Sequence, residues 1–156
     1  MRRSSINTDY IKGILFWVAL VIYQFLSSLY LFLPLFYGVF FVYAILNFSN
    51  ENRLISVYLS LLYLCIYDLN KGFYLFSSLI FFIIFYNLFV EKIENYFTCR
   101  SCILVVFVFF AYIGHFFLNL FMAYLLNQTI PVFSFGYLYY IVIDALIAII
   151  LFRKNI

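Results

Sequence analysis

The sequence is a succession of apolar runs in which no polar stretch exceeds roughly a dozen residues, and this pattern constrains the fold more than any motif. With 69% of 156 residues hydrophobic and 10% charged, the apolar surface exceeds what a core folded in water could bury. The expectation is an integral membrane protein, all-α and polytopic, because helices satisfy their own backbone hydrogen bonds in lipid. Nothing is left over for a separate soluble domain, so 1–156 reads as a single transmembrane domain.

Breaks in the runs divide the chain into about six segments, at 13–33, 34–48, 54–69, 72–90, 103–126 and 132–152, with four or five spans as the alternative. Pro34 opens the second, as suits a first helical position. Ser49-Asn50-Glu51-Asn52-Arg53 closes it, and the polar stretch 91–101 separates the fourth from the fifth. At ~1.5 Å per residue the second and third segments reach about 22–24 Å against a hydrocarbon core of roughly 30 Å, so they must thin the bilayer, borrow flanking residues or be partly re-entrant. The first run is too long for a secretory signal and lacks an Ala-x-Ala exit, so it is expected to be retained.

Charge gives the orientation. With six spans and a cytoplasmic N-terminus, Arg2, Arg3, Lys12, Arg53, Lys92, Arg100, Arg153 and Lys154 face the cytoplasm, eight of the nine basic residues. Only Lys71 lies outside, the asymmetry of the positive-inside rule. The turn Tyr67-Asp68-Leu69-Asn70-Lys71-Gly72 is thereby expected at the outer face, with Gly72 permitting a tight reversal.

The 23 Phe and 16 Tyr are spread along whole segments, which reads as lipid-facing and packing bulk. Of three cysteines, Cys99 and Cys102 form Cys-Arg-Ser-Cys; zinc would need a second ligand pair, and the only histidine, His115, lies inside an apolar run. The chain has no G-x-x-x-x-G-K, G-x-S-x-G or H-E-x-x-H. No catalytic residue, metal site or cofactor is therefore expected, nor a nucleic-acid partner.

Two acids stand apart. Asp68, beside the turn, reads either as a solvated turn acid or as a cap and brace for the fourth helix. Asp144 lies well inside the sixth segment, where an unpaired charge would cost several kcal/mol. On the fifth segment Ala111, His115, Asn119 and Ala123 recur every four residues and share one face, a helix-packing seam. Tyr137, Tyr140, Asp144 and Ala148 form a comparable face on the sixth. The expectation is that Asp144 pairs with His115 or Asn119 to fix this packing; a proton relay is the sharper alternative.

A basic N-terminus, six apolar segments with a short second and third, and Asp68-Leu69-Asn70-Lys71-Gly72 joining the third to the fourth resemble the MreD family of bacterial rod-shape proteins. The resemblance extends over most of the chain, and its most specific point is Asp-x-x-x-Gly. The chain departs from the family at Phe76, where another glycine is frequent, and in third and fourth segments rich in Tyr, Phe and Ser. The resemblance implies a divergent member and a fold similar to the substrate-binding subunits of energy-coupling-factor vitamin transporters. It further implies a non-enzymatic scaffold of the elongasome in the bacterial inner membrane, assembling lateral-wall peptidoglycan synthesis. Its partners would be the lipid bilayer, MreC, MreB, RodA and the penicillin-binding transpeptidase of RodA, with homo-oligomers also open. Asp68, Lys71, Gly72, Ala111, His115, Asn119, Ala123 and Asp144 would be structural or interaction residues.

Two rivals have other requirements. A small-molecule transporter subunit needs an outward cavity with convergent polar groups, for which Asp68, Asn70, Lys71, Asn127, Gln128 and Thr129 are available. Its usual Ala-x-x-x-Ala docking pattern on the first helix is missing, since 13–33 holds Ala19 alone. A polysaccharide-flippase accessory subunit would need a basic, polar groove, which the sequence does not suggest.

Overall fold

A computed structural model of the chain describes residues 15, 17–27, 29–30, 33–129, 132 and 134–152. The basic residues at 2, 3, 12, 153 and 154, and Pro131, lie outside the described residues. The described chain is all-α: α1 (Trp17–Ser27), α2 (Tyr37–Asn47), α3 (Leu54–Lys71), α4 (Ser77–Phe85), α5 (Glu91–Tyr96), α6 (Arg100–Leu125) and α7 (Gly136–Phe152). No strand occurs among the described residues.

The short helix α2 is the hub. Eight of its eleven residues are buried, on every side, because it packs against α3, α6 and α7 together. A helix apolar all round and buried all round belongs inside a bundle. Around it Phe41 stacks near Phe81, Phe82 and Phe85 with ring centroids 5.5–5.7 Å apart, so aromatic rings fill the interior beside it.

Several segment boundaries differ from the sequence expectation. Pro34 is not a first helical position: α2 begins three residues later, after Phe36 in the left-handed region (φ 51°). The Pro34 carbonyl instead accepts the Tyr23 hydroxyl of α1 at 2.8 Å. The third segment is not short. A 3-10 turn, Glu51–Arg53, capped by the Asn50 side chain, runs straight into α3, giving 21 residues in Glu51–Lys71. Gly72 ends α3 and does not open the next helix, because α4 starts only at Ser77. From there the chain is helical through a π-turn, Tyr86–Val90, to the end of α5, so the polar stretch 91–101 is mostly helix and only 97–99 separate it from α6. Two helices, Glu51–Lys71 and Arg100–Leu125, are long and apolar enough to cross a membrane.

Candidate functional site

Both short helices α2 and α4 follow an aromatic residue in the left-handed region, Phe36 (φ 51°) and Phe76 (φ 66°), and neither receives a side-chain cap from that residue. The first N–H groups of a helix need acceptors. In each case a carboxylate from another helix supplies one.

Asp68 serves α4. It lies in the last turn of α3, and Gly72 (φ 70°) closes that helix with two bonds: Phe73 N donates to the Asp68 carbonyl at 2.9 Å, and Gly72 N to Leu69 O at 3.4 Å. This paired closure needs a left-handed residue, which glycine supplies without strain. The reversal brings Ser78 back onto the Asp68 side chain, where Ser78 N donates to Oδ2 at 2.9 Å and Ser78 Oγ to Oδ1 at 2.6 Å. Asp68 is fully buried, not a solvated turn acid. The Asp-x-x-x-Gly spacing thus has a physical content: one residue reverses the chain, and the other ties the next helix down.

Around this cap His115 and Asn119 of α6 complete a polar cluster. His115 Nε2 is 3.1 Å from Asp68 Oδ1 and 2.8 Å from Ser77 Oγ. The Asn119 amide donates to Ser77 Oγ at 3.1 Å and to the His115 carbonyl at 2.9 Å, and its Oδ1 accepts Tyr74 N at 3.2 Å. Because Ser78 Oγ donates to Asp68, it accepts from Tyr37 OH at 3.2 Å. Asp, His and Ser together suggest a nucleophilic triad, but that device needs carboxylate and nucleophile on opposite ring nitrogens. Here Asp68 and Ser77 meet the same Nε2, so the histidine cannot be oriented by one while deprotonating the other. The cluster is built to join α3, α4 and α6.

Asp144 serves α2. Its Oδ2 accepts Gly38 N at 2.9 Å and Tyr112 OH at 2.7 Å, while Oδ1 has no partner among the described residues. Gly38 is required by crowding: a Cβ there would lie 2.7 Å from Val108 Cγ1 and 3.3 Å from Asp144 Oδ2. The expected pairing of Asp144 with His115 or Asn119 is therefore not what forms. His115 is taken by the α3–α4 turn, and Asp144 finds a backbone N–H that a helix start leaves open. Tyr37 links the two regions, with its ring 5.3 Å from Tyr112, 5.2 Å from His115 and 4.4 Å from Tyr67.

Of the residues singled out from sequence, Asp68, His115 and Asn119 come together in one cluster. Ala111 and Ala123 are buried on the same face of α6. Gly72 forms the turn, and Asp144 makes a separate cap. Lys71 is outside both and lines a cavity of about 450 Å³ with Gly72, Tyr74, Asn119, Gln128, Thr129 and Tyr137. Cys99 and Cys102 are exposed at the start of α6 with their side chains in contact. No group of three or more His, Cys, Asp or Glu able to hold a metal occurs among the described residues.

Ser77, Ser78, Tyr37, Tyr112 and Gly38 were not singled out. A serine pair inside the apolar run, five and six residues after Gly72, is a helix-start signal. Tyr112 lies three residues before His115 on the same side of α6, and a glycine inside a short apolar segment marks close approach. Compared with protein-family models, curated proteins and solved structures, the chain matches none.

Proposed function

We propose that the chain is a non-enzymatic scaffold of the MreD type, crossing the bacterial inner membrane six times with both termini in the cytoplasm and helping to assemble the rod-shape complex. The observation that carries this reading is the use made of the buried polar groups. Asp68, Asp144 and Asn119 are directed at backbone N–H groups, and the one histidine holds helices together. Such a set fixes architecture and leaves broad helix surfaces for lateral contacts. Large apolar side chains on the outside, among them Leu29, Ile55 and Ile150 at 76%, 78% and 80% exposure, suit lipid or partner helices. The turn from Asp68 to Gly72 supports the family resemblance, because each of its two defining residues has a distinct structural task.

The test is purification of the tagged protein from mild detergent with identification of what accompanies it. MreC is expected, together with RodA and its penicillin-binding transpeptidase partner, and MreB more weakly. Recovery of an ATP-binding transport module in their place would overturn the scaffold reading. It would favour the second one, a substrate-binding subunit of a small-molecule transporter, for which the 450 Å³ cavity is the supporting observation.

A further inference from the structure

We infer that the cavity at the Asp68 end of the bundle binds a ligand carrying a single negative charge, a phosphodiester or a carboxylate. The cavity is walled by Lys71 at the end of α3, the turn that follows it, Asn119 of α6, Gln128, Thr129 and Val132 beyond α6, and Tyr137 of α7. At about 450 Å³ it falls within the ~300–1,000 Å³ of small-molecule sites. Among the described residues Lys71 is its one charged lining residue, and no acid lines it. A second cavity of about 140 Å³, also lined by Lys71, Val132 and Tyr137, carries no acid among the described residues either.

Asp68, three residues before Lys71 in the chain, is already committed. Asp68 holds Ser78 and His115, and no ion pair to Lys71 forms among the described residues. A half-buried ammonium without a counter-charge is costly, and an entering anion removes that cost.

The other donors point the same way. Tyr74 OH donates to Gln128 Oε1 at 3.1 Å, which leaves the Gln128 Nε2 hydrogens for a ligand. The Thr129 hydroxyl is exposed beside it. Phe73, Leu75 and Val132 offer apolar surface for the body of the ligand. One cation among neutral donors matches an anion of one charge better than a phosphomonoester, which carries about −1.5 to −2. The wall is held in shape, since Tyr74 N is fixed by Asn119 Oδ1 and Asn119 belongs to the buried cluster.

The inference does not depend on the scaffold reading, because ligand binding and partner recovery are measured separately and succeed or fail independently. Its test uses the purified full chain, with three probes. Glycerophosphoglycerol is a soluble phosphodiester and benzoate a soluble carboxylate. Nanodiscs of phosphatidylglycerol, set against nanodiscs of phosphatidylcholine, present the charged headgroup of a lipid. At least one anionic probe is expected to raise the thermal unfolding midpoint saturably. Response to a soluble probe assigns the site to a free ligand, and response to phosphatidylglycerol alone assigns it to a lipid headgroup.

Lys71→Gln is expected to weaken the apparent affinity about tenfold or more. The exposed Lys92→Gln, on α5, should leave it unchanged. If Lys71→Gln does not fold, the double variant Gln128→Ala/Thr129→Val is measured instead, with a loss of several-fold expected. No midpoint shift with any probe, or an equal response from wild type and the cavity variant, overturns the inference.

Discussion

Asp68 reaches forward ten residues to Ser78, whereas Asp144 reaches back 106 residues to Gly38. Both carboxylates cap a short helix that follows a left-handed aromatic residue, yet they are loaded differently. Asp68 uses both oxygens, accepting Ser78 N at Oδ2 and Ser78 Oγ at Oδ1, with His115 Nε2 3.1 Å from Oδ1. Asp144 uses Oδ2 alone, for Gly38 N and Tyr112 OH, and its Oδ1 has no partner among the described residues. The local cap is saturated, and the distant one holds an acceptor in reserve. A turn can bring a serine pair onto a carboxylate by covalent connection alone, but a cap across four intervening helices depends on whatever packing allows.

This contrast can be broken most directly by removing each acid. In unfolding titrations of the detergent-solubilised protein, Asp68→Ala should cost roughly 3–5 kcal/mol, because Ser78 N and Ser78 Oγ lose their acceptor and His115 its carboxylate neighbour, and Asp144→Ala roughly 2–4 kcal/mol, because two donors lose theirs. An equal or larger loss at Asp144 would remove the distinction between saturated and unsaturated caps. Gly38→Ala comes next, at about 1–3 kcal/mol, since the added methyl presses on Val108 and on the Asp144 carboxylate. If that variant were as stable as wild type, close approach would not be what positions the distant cap. The finest separation comes from the amides. Asp144→Asn can place its NH2 where Oδ1 now stands and keep the acceptor for Gly38, so about 1 kcal/mol or less is expected. Asp68→Asn must turn a donor toward Ser78, so the loss should be larger by roughly 1–2 kcal/mol.

The same contrast explains what could be read from the chain beforehand. All the helices but α5, which forms in the polar stretch, and their order follow from apolar runs, and the reversal at Gly72 follows from a glycine between two of them. The face of α6 carrying Ala111, His115, Asn119 and Ala123 follows from four-residue spacing, and all four are buried. Partner choice does not follow. Comparable faces on two consecutive helices pointed to His115 or Asn119 for Asp144, but a shared face says nothing of how the two helices are rotated toward each other or of competing donors. The open N–H of α2 was invisible because α2 was expected to start at Pro34, where a proline leaves no first donor to satisfy. Likewise the cavity around Lys71 is assembled from the ends of α3 and α6 and from the chain entering α7, segments that only the folded chain brings together.

The reach of 106 residues from Asp144 to Gly38 also sets an order in time. At synthesis rates of about 5–20 residues per second, the start of the hub helix waits roughly 5–20 s for its carboxylate to be made. During that interval the open N–H of Gly38 must find another acceptor, such as water. α7 is thus made well after the helix whose start it holds. The start of α2 therefore acquires its carboxylate cap only when α7 arrives.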